Sequence, residues 1–416
     1  MNDQLQLLQP KAPSLVSVKH GLCQDVLKAY PDNHFGAMVT DPPYGLSAPP
    51  DIRVVLEAWL AGESYVHGSK GFMGKAWDSF VPGPEVWSEV FRVMKPGAFC
   101  VVFTGQRTAD LMGIALRLAG FEIRDLGAWL YWSGFPKSLD VSKAFDADVG
   151  AEREVVGKYR HPATGRPHGD FRTDNDRAAY GSFAGCDDTR NITAPASPEA
   201  VHWSGFGTAL KPAAEPFIIC RKPLEGTYVQ NLRKWGVGAL NIDGCRYAYG
   251  DKAWPGPQEN SDTARPNGHS AIWDEDMPQG IGGGSLLGRW PANVYACPKA
   301  SRSEREAGCD DLPAVTGAEA TGSKEGQARL DSPRTGAGRT ADEVRNSHPT
   351  VKALDLMRWL VRLVTPPGQM VLDPFLGSGT TMCAALRERR DGLGIEADVH
   401  HVAICEARMG YHRGKR

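Results

Sequence analysis

The chain has 416 residues, a formal net charge of −2, 41% hydrophobic and 23% charged residues. That suffices for one large or two ordinary domains with a sizeable core, and it excludes a basic coat over the whole surface, so any nucleic-acid face must be a local stripe balanced by acids elsewhere. Nine cysteines without a C-x-x-C pair or nearby histidine pairs read as reduced, cytoplasmic and metal-free; Met1 to Ser17 lacks the blocks of a signal peptide, and no apolar run approaches membrane-spanning length.

In chain order, Leu22, Val26 and Leu27 predict a short helix over 20–30, and the turn Pro31-Asp32-Asn33 leads into an apolar run, 35–40, that reads as a buried parallel strand. Asp41-Pro42-Pro43-Tyr44 must end that strand, because proline has no N–H for the ladder and forces the preceding residue out of helical geometry. Residues 45–78, with Gly62, Gly68, Gly71 and Gly74, read as a loop beside the site. Val86, Val90 and Met94 predict a helix stopped by Lys95-Pro96-Gly97. A strand over 98–104, an amphipathic helix over 106–118 and a long strand over 121–132 follow. The stretch 145–210, rich in Gly, Asp, Arg and Pro, reads as loops or partly disordered chain. A short strand at 215–220 is predicted to pair with the 121–132 strand, and 231–245 to be compact. From 246 to 346 the composition is polar again, with Gly280, Gly282, Gly283 and Gly284 and the arginines Arg302, Arg305, Arg329, Arg334 and Arg339. Helix 352–364, stopped by Pro366-Pro367, then gives way to strand, glycine turn, helix, strand and a final helix over 400–409. This alternation specifies an α/β fold with a doubly wound, mostly parallel sheet whose two halves lie at the two ends of the chain, separated by a long irregular insertion.

In open α/β sheets ligands bind at the carboxyl ends of the strands. A carboxylate, proline carbonyls and an aromatic ring placed there suit methyl transfer to an exocyclic amine. Such an amine is a poor nucleophile until acceptors hold both hydrogens and aim its lone pair: Asp41 can accept one hydrogen, the Pro42 carbonyl the other, and Tyr44 offers a stacking face. Alone, the tetrapeptide reads equally as an ordinary Asp-Pro turn. The late stretch from Val371 to Thr381 adds strand, glycine turn and helix start, with Thr380 or Thr381 placed to cap a helix over 382–390. Glu396 lies on the next predicted strand at about the 20-residue spacing where an acid meets ribose hydroxyls. The turn is not GxGxxG, which favours an adenosyl site over a nicotinamide site.

Together, Asp41-Pro42-Pro43-Tyr44 and Asp373-Pro374-Phe375-Leu376-Gly377-Ser378-Gly379-Thr380-Thr381 resemble the amino-group DNA methyltransferases of the permuted β type, bacterial and prophage enzymes in which the catalytic motif precedes the cofactor motif. Gly21-Leu22-Cys23-Gln24-Asp25, Arg92-Val93-Met94-Lys95-Pro96-Gly97 and His348-Pro349-Thr350-Val351-Lys352 fit as well. Ala353, where a second proline is usual, and Leu376, where a smaller residue is usual, depart from the pattern as changes of shape. The resemblance implies S-adenosyl-L-methionine as cofactor, double-stranded DNA as partner, and the N6 amine of a flipped adenine as target. Cytosine N4 is the alternative amine, and a protein amide methyltransferase or an idle DNA-binding relative are the other classes. It also implies that Asp373, Phe375, Gly377, Ser378, Gly379, Thr380, Thr381 and Glu396 cradle the cofactor, with Asp25, Thr350 and Lys352 contributing and His348 and Lys352 facing its carboxylate end. On the residues alone, Asp25 reads equally as a helix-capping or solvated acid.

The expected organisation is a catalytic half over 18–145, a polar insertion over 146–210, the last strand of the catalytic half within 211–245, target recognition over 246–346 and the cofactor half over 347–416. Trp203, Trp235, Trp254, Trp273 and Trp290 are candidates for stacking on bases, with packing the default for most. A homodimer and a restriction-endonuclease partner stay open.

Overall fold

The computed structural model describes residues 14–45, 49–68, 79–134, 138–158, 191–248, 251–254, 288–316 and 343–414. Among these residues eight strands form one sheet: β1 (Val16–His20), β2 (Phe35–Thr40), β3 (Met94–Phe103), β4 (Glu122–Leu130), β5 (Ala214–Arg221), β6 (Val294–Ala296), β7 (Met370–Asp373) and β8 (Asp391–Glu396). Their spatial order is β1-β8-β7-β2-β3-β5-β4-β6. All pairings are parallel except those of β5, which runs antiparallel between β3 and β4.

Every residue of β2 is buried, as an apolar strand covered on both faces must be. Alternate residues of the sheet feed two cores. Ala37, Val39, Phe99 and Val101 pack against the helices Leu354–Val364, Thr380–Arg387 and Val399–Gly414. Met38, Cys100 and Val102 pack against Cys23–Leu27, Ile52–Leu60, Pro84–Val93 and Ala109–Leu118. Helices thus cover both faces, as the alternation of elements predicts. The β5 strand pairs with β4 as expected, and also with β3, so it separates β3 from β4 in the sheet.

Four expectations need correction. The helix expected over 20–30 shrinks to Cys23–Leu27, and His20 ends a strand, β1, that pairs in parallel with β8. The stretch 45–78 holds the helix Ile52–Leu60, capped by the Asp51 side chain on the Arg53 N–H at 2.9 Å, with Val55 and Trp59 inward one turn apart. The stretch 145–210 holds ordered parts: the helix Val141–Asp148, the antiparallel pair Val155–Lys158 and Asn191–Thr193, and the short helix Pro198–His202. Asp146, 1% exposed, ties them together by accepting from the Ser197 N–H at 2.8 Å and from Arg153 Nη1 at 2.5 Å. The fourth, at the glycine turn, concerns the helix cap described below. Among the described residues no helix is long and apolar enough to cross a membrane.

Candidate active site

Because β2 and β7 are adjacent and parallel, Asp41 and Asp373 both come to the carboxyl edge of the sheet, Asp41 two residues further along its strand. Asp41 Oδ1 accepts the Tyr44 hydroxyl at 2.7 Å, and Oδ2 accepts the Lys352 ammonium. Tyr44 is held at its backbone too, its carbonyl accepting the Thr108 hydroxyl at 2.7 Å. Pro42 is buried and Pro43 half-buried, so the turn that carries Asp41 has little freedom. Lys352, expected near the cofactor's carboxylate end, is 6% exposed and also reaches Glu215 Oε2 at 3.3 Å. Burial opposes its charge, but Asp41 and Glu215 together hold its pKa above the ordinary lysine value.

The glycine turn is organised from beneath. Asp373, 2% exposed, accepts the Thr40 hydroxyl at 2.7 Å, the Thr381 hydroxyl at 2.5 Å and the Phe375 N–H at 3.1 Å. Burial lifts its carboxyl to about 7, against the pull of those donors. A folded-state value raised from the ordinary 3.8 means that the native chain binds a proton the unfolded chain has released. The associated stability is therefore complete below about 3.8 and is lost as pH rises towards about 7. Thermal melts from pH 4 to 8 should show the native chain losing stability across that window relative to Asp373→Asn. A pH-independent difference between the two would remove this role.

Thr380 and Thr381 do not cap their helix. Gly379, at φ 85°, is the cap residue and has no side-chain oxygen to offer, while both threonines are buried. Thr381 turns to Asp373, and the Thr380 hydroxyl accepts from Arg408 Nη1 at 3.0 Å. The same nitrogen reaches the Ser378 carbonyl at 2.6 Å and its hydroxyl at 3.0 Å. The Ser378, Thr380 and Thr381 side chains thus hold the turn in shape, and what it presents outward is backbone. Gly377, at φ 59°, donates its N–H to Glu396 Oε2 at 2.7 Å, and a Cβ there would meet His348 Nε2 at 2.8 Å. Glu396 Oε1 takes the Asp398 N–H at 2.8 Å, so each oxygen keeps a lone pair for donors such as ribose hydroxyls. His348 is buried and set by its Nδ1 contact with the Thr350 carbonyl at 2.9 Å; burial first, and His401 second, hold its pKa well below the ordinary value, leaving the ring neutral. Phe375 packs on Trp87 at 5.9 Å between centroids.

The peripheral candidates fare differently. Asp25 sits on the helix after β1, whose last residue pairs in register with Glu396, but its exposed carboxylate turns to Lys28 at 2.9 Å. Thr350 is exposed and contributes through its backbone. Arg302 and Arg305 reach the carbonyls of Glu343 and His348, at 2.8 and 3.0 Å, which ties 302–316 to the cofactor half. Trp254 packs against Tyr247 at 5.5 Å, Trp235 donates to Glu225 at 2.8 Å, and Trp203 meets Phe206 edge-on at 5.1 Å. Trp290, 62% exposed, carries the Arg246 guanidinium at 4.9 Å. Trp273, Gly71, Gly74, Gly280, Gly282 to Gly284, Arg329, Arg334 and Arg339 lie outside the described residues.

Sequence reasoning missed Glu215 and Arg408. Glu215 carried no motif, only its place near the start of a short strand. Arg408 carried none either, although a fully buried arginine beside a glycine turn is what fixes that turn.

A DNA methylase family model matches residues 36–407. Among curated proteins, the type II methyltransferase M.HindIII of Haemophilus influenzae is 41% identical over 75 residues, 18% of this chain and 24% of that protein. The type II methyltransferase M.MjaI of Methanocaldococcus jannaschii is 35% identical over 72 residues, 16% of this chain and 24% of that protein. The match to these relatives therefore spans about a quarter of their length. Among solved structures, the cytosine-N4-specific PvuII DNA methyltransferase has 14% identity and a TM-score of 0.44 over 95% of this chain and 86% of that one. The M1.HpyAVI–SAM complex has 12% identity and a TM-score of 0.37 over 95% and 100%. The family match takes in both the strand that ends at Asp41 and the glycine turn of β7, and the chain belongs to the DNA methylase family, whose methyl donor is S-adenosyl-L-methionine.

Proposed function

We propose that this chain is a permuted β-type DNA methyltransferase that transfers a methyl group from S-adenosyl-L-methionine to the N6 amine of adenine in double-stranded DNA. The observation that carries the reading is the juxtaposition, on adjacent parallel strands, of the Asp41 carboxylate with the glycine turn that Asp373 organises. The bound cofactor supplies a methyl carbon made electrophilic by its sulfonium. Gly377 to Gly379 offer backbone to it, and Glu396 takes the ribose hydroxyls.

Asp41 has one oxygen on Tyr44 and one on Lys352, and each oxygen retains a second lone pair. One of these accepts a hydrogen of the amine, the Pro42 carbonyl accepts the other, and the nitrogen lone pair is left aimed at the methyl group. When bound, the donor would give up its methyl group with the C–S electron pair staying on sulfur, and the Asp41 carboxylate would accept the proton that the newly methylated nitrogen sheds. The target amine is paired within the duplex, so the base must be flipped at a cost of a few kcal/mol. The Lys352 ammonium lies over the Tyr44 ring, 5.4 Å from its centroid, and Tyr44 is the aromatic side chain assigned to stack on the flipped base.

The test is to express the chain in cells lacking other methylases and map modified bases by single-molecule sequencing. N6-methyladenine in one sequence context is expected. N4-methylcytosine would keep the amine chemistry and overturn the base, and unmodified DNA from cells holding folded, cofactor-binding protein would overturn the activity.

A further inference from the structure

We propose that Glu215 and Lys352 are positioning residues for Asp41: Glu215 anchors the Lys352 ammonium, and that ammonium fixes the carboxylate that receives the target amine. The proposal rests on the role given to Asp41 above. Its starting point is the topology of β5. Because β5 alone runs antiparallel in the sheet, its first residues, not its last, reach the carboxyl edge. Glu215 is thereby delivered to the edge where Asp41 stands, with Trp129 of β4 as its register partner.

The order β2-β3-β5 puts one strand between the two acids. At about 4.8 Å per strand spacing they are roughly 10 Å apart across the sheet, too far to touch and the right gap for one cation to bridge. Lys352 fills that gap. Its Nζ contacts Asp41 Oδ2 and lies 3.3 Å from Glu215 Oε2, with the Phe103 ring centroid at 5.0 Å and that of Tyr44 at 5.4 Å. Glu215 Oε1 is held in turn by Lys299 at 3.2 Å. The result is a row of alternating charge along the edge: Asp41, Lys352, Glu215, Lys299.

A lysine that is 6% exposed cannot hold its charge there without both carboxylates. Asp41 equally depends on the lysine, which holds Oδ2 while the Tyr44 hydroxyl holds Oδ1. With Lys352 removed, the Tyr44 hydroxyl alone would orient Asp41, and its carboxylate would turn towards water. A misplacement of about 1 Å at a reacting group is worth about a hundredfold in rate. This assignment differs from the expectation that Lys352 holds the cofactor's carboxylate end, and the two separate in experiment.

The full-length chain and the variants Lys352→Met, Lys352→Arg, Glu215→Gln and Asp41→Ala would be compared by two measurements. One is S-adenosylmethionine affinity by calorimetric titration. The other is single-turnover methyl transfer, at saturating cofactor, with the enzyme in excess over the target sites of unmethylated genomic DNA. Lys352→Met should lower the saturated rate about a hundredfold with cofactor affinity within about threefold of the parent, and Lys352→Arg should recover most of the loss. Glu215→Gln, which keeps shape and stays informative if Lys352→Met fails to fold, should cost about tenfold in the saturated rate alone. Weakened cofactor binding with an unchanged saturated rate would make Lys352 a cofactor ligand and overturn the proposal. Full activity in Lys352→Met or Glu215→Gln beside an inactive Asp41→Ala would also overturn it while leaving the proposed function standing. Activity in Asp41→Ala would instead overturn the role of Asp41 itself.

Discussion

Replacing Asp41 with alanine should lower methyl transfer by about a thousandfold or more while S-adenosylmethionine binding changes by less than about threefold, since the acceptor proposed for the amine is lost and the proposed cofactor cradle is not touched. Two separate hydrogen-bond systems underlie this split. Asp41 is held by Tyr44 and Lys352, whereas the glycine turn is held by Asp373, Arg408 and Glu396. A calorimetric titration read beside a transfer assay with tritiated methyl donor measures both quantities on one preparation. Retained transfer in Asp41→Ala would show that the amine finds its acceptor elsewhere. The change also frees Lys352 from one of its two counter-charges, and breaking a buried pair costs about 3–5 kcal/mol. The melting temperature must therefore be read alongside, and Asp41→Asn, which preserves volume and one acceptor oxygen, reports the effect of the lost charge alone.

What could be read in the sequence follows from how local each feature is. The end of β2 at Asp41-Pro42-Pro43-Tyr44 and the strand, turn and helix around Gly377 are each written in a dozen residues or fewer. Proline's missing N–H and glycine's access to positive φ act at the position where they occur. That both lie on one edge followed from the rule for strand ends, and the adjacency of β2 and β7 agrees with it. Glu215 was illegible for a different reason. Its place depends on β5 running against its neighbours, and no residue of a short apolar strand records its direction. Lys352 was visible as a candidate but was given another partner, because it is 311 positions from Asp41 in the chain.

The helix caps show propensity being overridden by tertiary demand. Two threonines after a glycine turn are a reasonable cap on local grounds, yet the buried Asp373 needs a donor and takes Thr381, while Arg408 takes Thr380. The reverse error occurred at Asp51. Its capping side chain and the inward pair Val55 and Trp59 were legible, but the glycines that follow diluted the pattern over 45–78.

Replacing Gly377 with valine should weaken S-adenosylmethionine binding by at least about a hundredfold. Two costs add at this residue. Its φ of 59° is left-handed, where a β-branched residue is strained by about 1–2 kcal/mol. Its Cβ position lies 2.8 Å from His348 Nε2 and 3.0 Å from Cε1, and the buried His348 ring, tied to Thr350 and packed on His401, has little room to give. The backbone must then shift, which moves the Gly377 N–H away from Glu396 and with it the acid placed for the ribose. Titration of the variant with the cofactor measures the loss directly. Affinity equal to the parent's in folded protein would move the cofactor site away from this turn. Gly377→Ala, which adds the strain and the first contact without the branch, should fall between the two.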